Sequence, residues 1–421
     1  MTGATGRRRR RYAVCGLSNR GLSVFVRPLL GHSSAVADVR DDGELVAIVD
    51  ADSERVAGFR ADTGYVLDPS EVPVYRPDQV DRMVAERQPD RLLVAPPDHA
   101  HADYLLGGLD HGLDVVTEKP MVTTAAAARR VLDIERRSAG TVRVTHNLRY
   151  APFHRTLKSM IVDGRIGRPV SVELVWNVET LHGASYFWRW NRTRAGSGGL
   201  SVHKSCHHLD LVSWLLDDEP VRVFAFGARN FFGADSPHRP RRPDGAALPQ
   251  GDEIDADPYL ARWTAEERRP TLRPGRFHYD DEIDIEDTYS AVVGYRGGAS
   301  LAYSVSFSAP WEGYRLAVNG THGRLEAAVT FTGPTGASGL GQSLRWYPMF
   351  GPAEDVPVGD AGASGHLGAD APMVRELFTG DAEESVALGA PASAYDGALA
   401  VATGEAIWRS AVEGGRAYDI A

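Results

Sequence analysis

Cysteine, lysine and long apolar runs are what this 421-residue sequence has least of. It contains two cysteines, Cys15 and Cys206. Two thiols cannot build a disulfide framework, which fits a reducing compartment and predicts a cytoplasmic location. No stretch approaches the roughly 20 apolar residues needed to cross a bilayer, so no membrane partner is expected. The formal net charge of −10 argues against a general nucleic-acid binder. Of the 46 basic residues only Lys119, Lys158 and Lys204 are lysines. Arginine holds its proton, whereas the proton of a lysine can be moved by its surroundings. The three retained lysines therefore mark places where a compact ammonium is wanted. Arginines run from Arg7 to Arg11, and a strand-like Tyr-Ala-Val-Cys-Gly follows them. A signal-type apolar stretch would read differently, so residues 1–11 are expected to be a disordered basic arm.

What is present is an ordinary globular composition, with 43% hydrophobic and 24% charged residues, and a length that suits two domains. Arg11 to Gly16 reads as a buried strand, GLSNRG follows, and LSVFVRPLL has helical spacing. Strand, glycine turn and helix is the setting of a dinucleotide fingerprint, G-x-S-x-x-G here, with Ser18 in place of the middle glycine. Gly16, Ser18, Asn19, Arg20 and Gly21 would then surround a pyrophosphate. Asp50 ends the next apolar run, where a carboxylate accepts from ribose hydroxyls and repels a 2′-phosphate. NAD is therefore favoured over NADP, although Arg55 lies nearby. Asp50 also has the setting of a helix N-cap. Further strands are expected over Leu92–Ala95, Asp114–Thr117 and Thr141–Thr145, with helices over 81–88 and 123–138. Such alternation implies a parallel, doubly wound sheet that binds ligands beyond its strand carboxyl ends. Ser18, Asp50, Pro96, Lys119 and His146 all fall there. His99 and His101 lie in the loop or first helical turn after Pro96-Pro97, and with Pro96 they are expected cofactor contacts.

The second concentration of chemistry is SGGLSVHKSCHHLD, Ser197 to Asp210. If the stretch is one helix, His203 and His207 share a face, and Asp210 reaches the same side. Imidazoles titrate near neutrality, so a stacked pair can pass a proton at working pH. A metal site is the competing reading of His203, Cys206, His207 and His208. Neighbouring helix positions point apart, however, and catalytic zinc wants three protein ligands, so no metal is expected.

GLSNRG, the strand-end Asp50, APPDHAH, the triplet Glu118-Lys119-Pro120, HNLRYAP and SGGLSVHKSCHHLD together resemble the glucose–fructose oxidoreductase, inositol dehydrogenase and rhizopine-catabolism (Gfo/Idh/MocA) family. The resemblance covers nearly the whole chain. It implies NAD(P) binding and hydride transfer at a secondary alcohol of a sugar or cyclitol. It implies that Lys119 lies by the nicotinamide and the reacting hydroxyl, with Glu118 and Asn147 among the cofactor contacts, and that His207 is the general acid/base. Family members often carry aspartate four residues before that histidine; this chain has His203, as in an HKxxHH-type subgroup. Some relatives use NAD transiently, so a redox-neutral glycosidase or lyase is the alternative, and a non-catalytic NAD-bound binding protein is a reading of another class.

Past residue 148 the chain reads as an α+β domain, 149–421, following a Rossmann domain over 12–148. Arg149 and Tyr150 are expected near the substrate. Val170 to Val178 alternates like a strand. LHGASYFWRWNR reads as a Gly- and aromatic-rich loop in which His182, Tyr186, Trp188, Arg189 and Trp190 suit a sugar ring; Lys204 and His208 join this substrate set. Residues 233–280 lose periodicity and read as an insertion or long loop. Four strands with turn glycines follow and imply a large, mainly antiparallel open sheet. Residues 333–368 read mostly as loop, and 371–378 and 392–412 as helices. An apolar sheet face predicts a homodimer or homotetramer.

Overall fold

The apolar runs of the first third pair side by side in the computed structural model, which describes residues 8–246, 248, 277–332, 338–359 and 366–420. β1 (Arg10–Cys15), β2 (Gly43–Val49), β3 (Val74–Tyr75), β4 (Arg91–Val94), β5 (Asp114–Thr117) and β6 (Val142–Val144) are all parallel. Their order is β6-β5-β4-β1-β2-β3. Tyr12 to Cys15 are fully buried, as expected of a strand covered on both faces. The order reverses at β1, which neighbours both β2 and β4, so a crevice opens at their carboxyl ends.

By internal contacts the chain divides into Met1–Arg155 with Asp360–Ala398, and Thr156–Gly359 with Leu399–Ala421. The expected boundary at 148/149 thus shifts by a few residues, and a distant segment belongs to the first unit. Ala392–Ser393 pairs antiparallel with β6 as a seventh strand, and Phe378 meets Tyr12 edge-on at 4.8 Å. Pairing over such a separation leaves no local signature. The basic arm is also shorter than expected. Arg10 and Arg11 belong to β1, the Arg11 guanidinium donates to the Arg87 carbonyl (2.7 Å), and its N–H donates to Asp90 (2.8 Å). Residues 1–7 of that arm lie outside the described residues.

The second unit is built on β7 (Pro169–Glu179), β8 (Pro220–Ala228), β9 (Thr288–Tyr295), β10 (Ser300–Ala309), β11 (Glu312–Gly320), β12 (Gly323–Thr332) and β13 (Ser338–Pro348). Their order is β13-β12-β11-β7-β10-β9-β8, with Glu354–Asp355 and Tyr418–Asp419 at the two edges. The sheet is antiparallel except where β7 and β10 run parallel. β13 replaces part of the loop expected over 333–368; its glycines and serines hide a strand held by pairing with β12. Of the stretch 233–280, residues 233–246 are irregular, and residues 247 and 249–276 lie outside the described residues.

LHGASYFW is a helix, Thr180–Trp188, rather than a loop. The Glu179 carboxylate accepts from the N–H groups of Leu181 and His182 and starts it, the usual work of an N-terminal cap. Gly183 lets this helix touch the sheet: a Cβ there would lie 1.7 Å from the Phe307 carbonyl oxygen. Gly183→Ala must push helix and strand apart, and overpacking of this kind costs about 1–3 kcal/mol. Urea unfolding of the variant should show a lower midpoint at unchanged slope; an unmoved midpoint would contradict the close approach.

Candidate active site

In the first unit the glycine turn closes on two neighbours. Gly16 has φ +98°, and a Cβ there would lie 2.4 Å from the Pro96 nitrogen. A Cβ at Gly21 would lie 2.1 Å from the Gly16 carbonyl oxygen. Glycine is thus needed at both ends of GLSNRG. The Ser18 hydroxyl accepts from the Gly21 N–H at 3.1 Å, so Ser18 braces the turn from within. Asp50, just past β2, accepts from the Leu17 N–H (2.6 Å) and the Asp52 N–H (2.7 Å). The cap of the following helix falls on Asp52 instead. A cavity of about 500 Å³ opens here, bordered by Gly16, Asp50, Arg55, Pro96 and His99. A glycine turn at a strand end, a carboxylate at the next strand end and a cavity joining them fit a dinucleotide.

Asp50→Ala removes the carboxylate expected to meet the ribose hydroxyls, and two backbone bonds with it. Hydrogen bonds to a charged group contribute about 1.5–3 kcal/mol, so NAD affinity should fall by about 10- to 100-fold. Fluorescence titration of wild type and variant with NAD and NADP checks this. Equal wild-type affinities for the two would contradict the role given to Asp50.

Lys119 follows β5 on the same edge of the sheet and is half-buried; a cis peptide joins it to Pro120. Asp98 lies buried nearby. Burial raises its carboxyl to about 7, and the charges of His101 and Lys119 offset this only in part. His101 is buried, with its ring nitrogens 2.9 Å from the Pro120 carbonyl and 3.0 Å from that of Pro96. It ties two strand ends together and is a brace rather than the expected cofactor contact. Arg20, Glu118 and Asn147 are joined too. The Arg20 guanidinium donates to Glu118 (3.1 Å) and to Asp370 (2.9 and 3.1 Å), and the Asn147 side-chain amide donates to Asp370 (2.8 Å). Despite burial, His366 and Arg20 hold the Asp370 carboxyl far below the usual carboxylate range. Asp370 had no signal in the sequence, because it arrives on the returning segment. Asn19 is exposed.

In the second unit the histidine stretch is not one helix. Leu200–His203, a single helical turn, and the helix Cys206–Leu216 are separated at Lys204-Ser205. The His207 N–H bonds to the Lys204 carbonyl (3.2 Å), three residues back, and the Cys206 thiol turns back to the His203 carbonyl (3.4 Å). The two histidines thus lie on either side of an irregularity in the helical path. His203 has its Nε2 3.0 Å from the Asn191 side-chain nitrogen, with Tyr186 and Trp190 rings edge-on at 5.5 Å. Lys204 is buried, which lowers its ammonium pKa, while Glu312 opposes that shift.

Four expected substrate residues are turned inward. His208 is fully buried, stacked on Trp176 at 3.9 Å and bonded to the Tyr303 hydroxyl at 2.7 Å. Trp188 is fully buried and donates to His278. Arg149 donates to the Gly389 carbonyl and to Asp396. The Tyr150 hydroxyl accepts from Arg143. Ring stacks claim His208, and hydrogen bonds to backbone or side-chain groups claim the others, and sequence alone does not separate such residues from ligand contacts. Tyr186 and Arg189 remain adjacent, the guanidinium 5.8 Å from the ring centroid. The retained lysines also divide: the Lys158 ammonium donates to the Trp214 carbonyl in a buried, structural role.

A parallel doubly wound sheet with a dinucleotide-type turn, followed by a large open sheet carrying clustered histidines, defines a two-domain nucleotide-dependent oxidoreductase. Residues 10–146 match an oxidoreductase-family domain described as an NAD-binding Rossmann fold, and residues 158–419 match that family's C-terminal alpha/beta domain. The chain belongs to the Gfo/Idh/MocA oxidoreductase family, whose NAD-binding Rossmann domain it carries. It is 40% identical over 427 residues to the oxidoreductase YteT of Bacillus subtilis strain 168, covering 95% of each chain. It is 26% identical to inositol 2-dehydrogenase of Rubrobacter xylanophilus over 44% of this chain and 48% of that one. An inositol dehydrogenase homolog from Azotobacter vinelandii, solved with NAD+, shares the fold with a TM-score of 0.65 at 20% identity, covering 98% of this chain and 97% of that one.

Proposed function

We propose that the protein oxidises or reduces a secondary alcohol of a sugar, sugar derivative or cyclitol, with Lys119 and His207 as its polar reaction groups. The observation that carries this reading is Lys119 at the carboxyl end of β5, on the sheet edge that also bears Gly16 and Asp50. The relatives named inositol 2-dehydrogenase support the substrate class. Gly16, Gly21 and Asp50 would hold the dinucleotide, and the nicotinamide, when bound, supplies hydride exchange. His207 takes the hydroxyl proton as the carbonyl forms, and returns it in the reverse direction. The Lys119 ammonium orients that hydroxyl and favours negative charge on its oxygen. The test is to extract purified protein for bound nicotinamide and then assay a panel of sugars and cyclitols. NADH formed with one of them supports net oxidation. Retained NAD with glycoside cleavage and no net NADH would replace this reading by the redox-neutral one.

The assembly we propose uses the open sheet face of the second unit. Phe224 and Phe226 on β8 and Val292 on the neighbouring β9 are exposed there, with Phe224 opposite Val292, and Val175 is exposed on β7 beyond β10. An apolar patch of this kind suits a second copy of the chain. Phe226→Glu together with Val292→Glu should shift the protein to a smaller species in light scattering after gel filtration; a wild-type monomer would contradict the assembly.

A further inference from the structure

The helix Thr180–Trp188 puts His182 and Tyr186 one turn apart on one face. The Tyr186 hydroxyl lies 3.0 Å from His182 Nε2, and His182 Nδ1 lies 2.9 Å from each carboxylate oxygen of Glu312. Burial raises the Glu312 carboxyl, but the hydrogen bond from His182 and the charges of His182 and Lys204 outweigh it, so Glu312 is held below the usual carboxylate range. An ionised carboxylate only accepts, so Nδ1 carries the proton and donates it. When the ring is neutral its Nε2 accepts from the phenol; when it is the imidazolium the phenol oxygen accepts from it. The connectivity is that of a hydroxyl–imidazole–carboxylate relay, with a phenol at its head.

Exposure changes along the row. Tyr186 is 5% exposed, whereas the His182 side chain is 39% exposed. The inner end touches His203 and Arg189, and the outer end meets water. Glu312 is 130 residues from His182 in the chain, so the pairing is a tertiary one.

We propose that Tyr186, His182 and Glu312 form a proton relay between the substrate site and solvent. The inference rests on the alcohol oxidoreductase reading above. In alcohol oxidation the carbinol carbon gives a hydride to NAD+ and its hydroxyl gives up one proton. The relay handles that proton alone. The Tyr186 oxygen takes on the proton that His207 has removed from the hydroxyl, as its own O–H bond breaks and that second proton passes to His182 Nε2. The imidazolium, paired with Glu312, returns to neutral by losing one proton to water. In reduction the sequence reverses.

Tyr186→Phe keeps the ring and removes the hydroxyl; kcat should fall by about 100-fold, the lower end for a lost acid–base group, with KM little changed. His182→Ala should fall comparably, and tens of millimolar imidazole should restore it several-fold while leaving Tyr186→Phe unrescued. Side-chain 15N NMR of the full chain without substrate, with His182 assigned from the variant, should find the Nδ1–H tautomer. A wild-type protein that turns over no alcohol fails the oxidoreductase reading, while the NMR still reports the hydrogen-bond order. A turning-over wild type with unaffected Tyr186→Phe, or an Nε2–H tautomer, overturns the relay alone. Should His182→Ala fail to fold, the Tyr186→Phe kinetics and the tautomer decide.

Discussion

His207→Ala should lower turnover by about 10²–10⁴-fold, the usual range for a lost general acid or base, and leave NAD binding intact. His207 is 4% exposed in the first turn of the helix Cys206–Leu216, just past the break at Lys204-Ser205. Its backbone is set by the bond to the Lys204 carbonyl. The dinucleotide-type turn, Asp50 and their cavity belong to the other unit, so the two readouts separate. Steady-state rates on the active substrate and fluorescence titration with NAD check both. Unchanged turnover would remove His207 from the reaction. Its neighbour provides the contrast. His208 lies in a stack with Trp176 and Tyr314, so His208→Leu should act on stability, with the folded fraction keeping its rate.

The second large effect is expected at Lys119. Lys119→Met keeps most of the apolar stem and deletes the ammonium. Loss of a preorganised donor to a developing oxyanion lowers kcat by about 10²–10³-fold. Lys119→Arg should not restore the rate, because a planar guanidinium replaces a compact point charge at a half-buried strand end. Measuring kcat and KM separately distinguishes this role from simple binding. A Lys119→Met protein altered only in KM would make the lysine a substrate anchor instead.

Much of the first unit was legible because its signals are local. The strand over Asp114–Thr117 was expected with the bounds it has, since a short apolar run between a glycine and a proline has few other readings. Gly16 and Gly21 share one short turn and Asp50 ends an apolar run, although what presses on Gly16 is Pro96 and what Asp50 holds is Leu17, both distant in the chain. The second unit was less legible wherever packing decided. LHGASYFW looked like a loop because glycine and aromatics broke its pattern, yet Glu179 caps it and Gly183 seats it on Phe307. The histidine stretch looked continuous because a 3.6-residue period does not reveal a break at Lys204-Ser205.

By itself, then, the sequence determined the architecture of a nucleotide-binding sheet followed by an open sheet, and the family, because both rest on short-range patterns of apolar runs, glycines and strand-end residues. Only the tertiary structure decided which polar side chains are spent on packing. His101, Arg149, Trp188 and His208 were drawn into the interior by neighbours distant in the chain. The same long-range closure brought Asp370 to Arg20 and Glu312 to His182. Burial favours such partners for the polar groups it covers, and which partner arrives depends on how remote strands and helices pair.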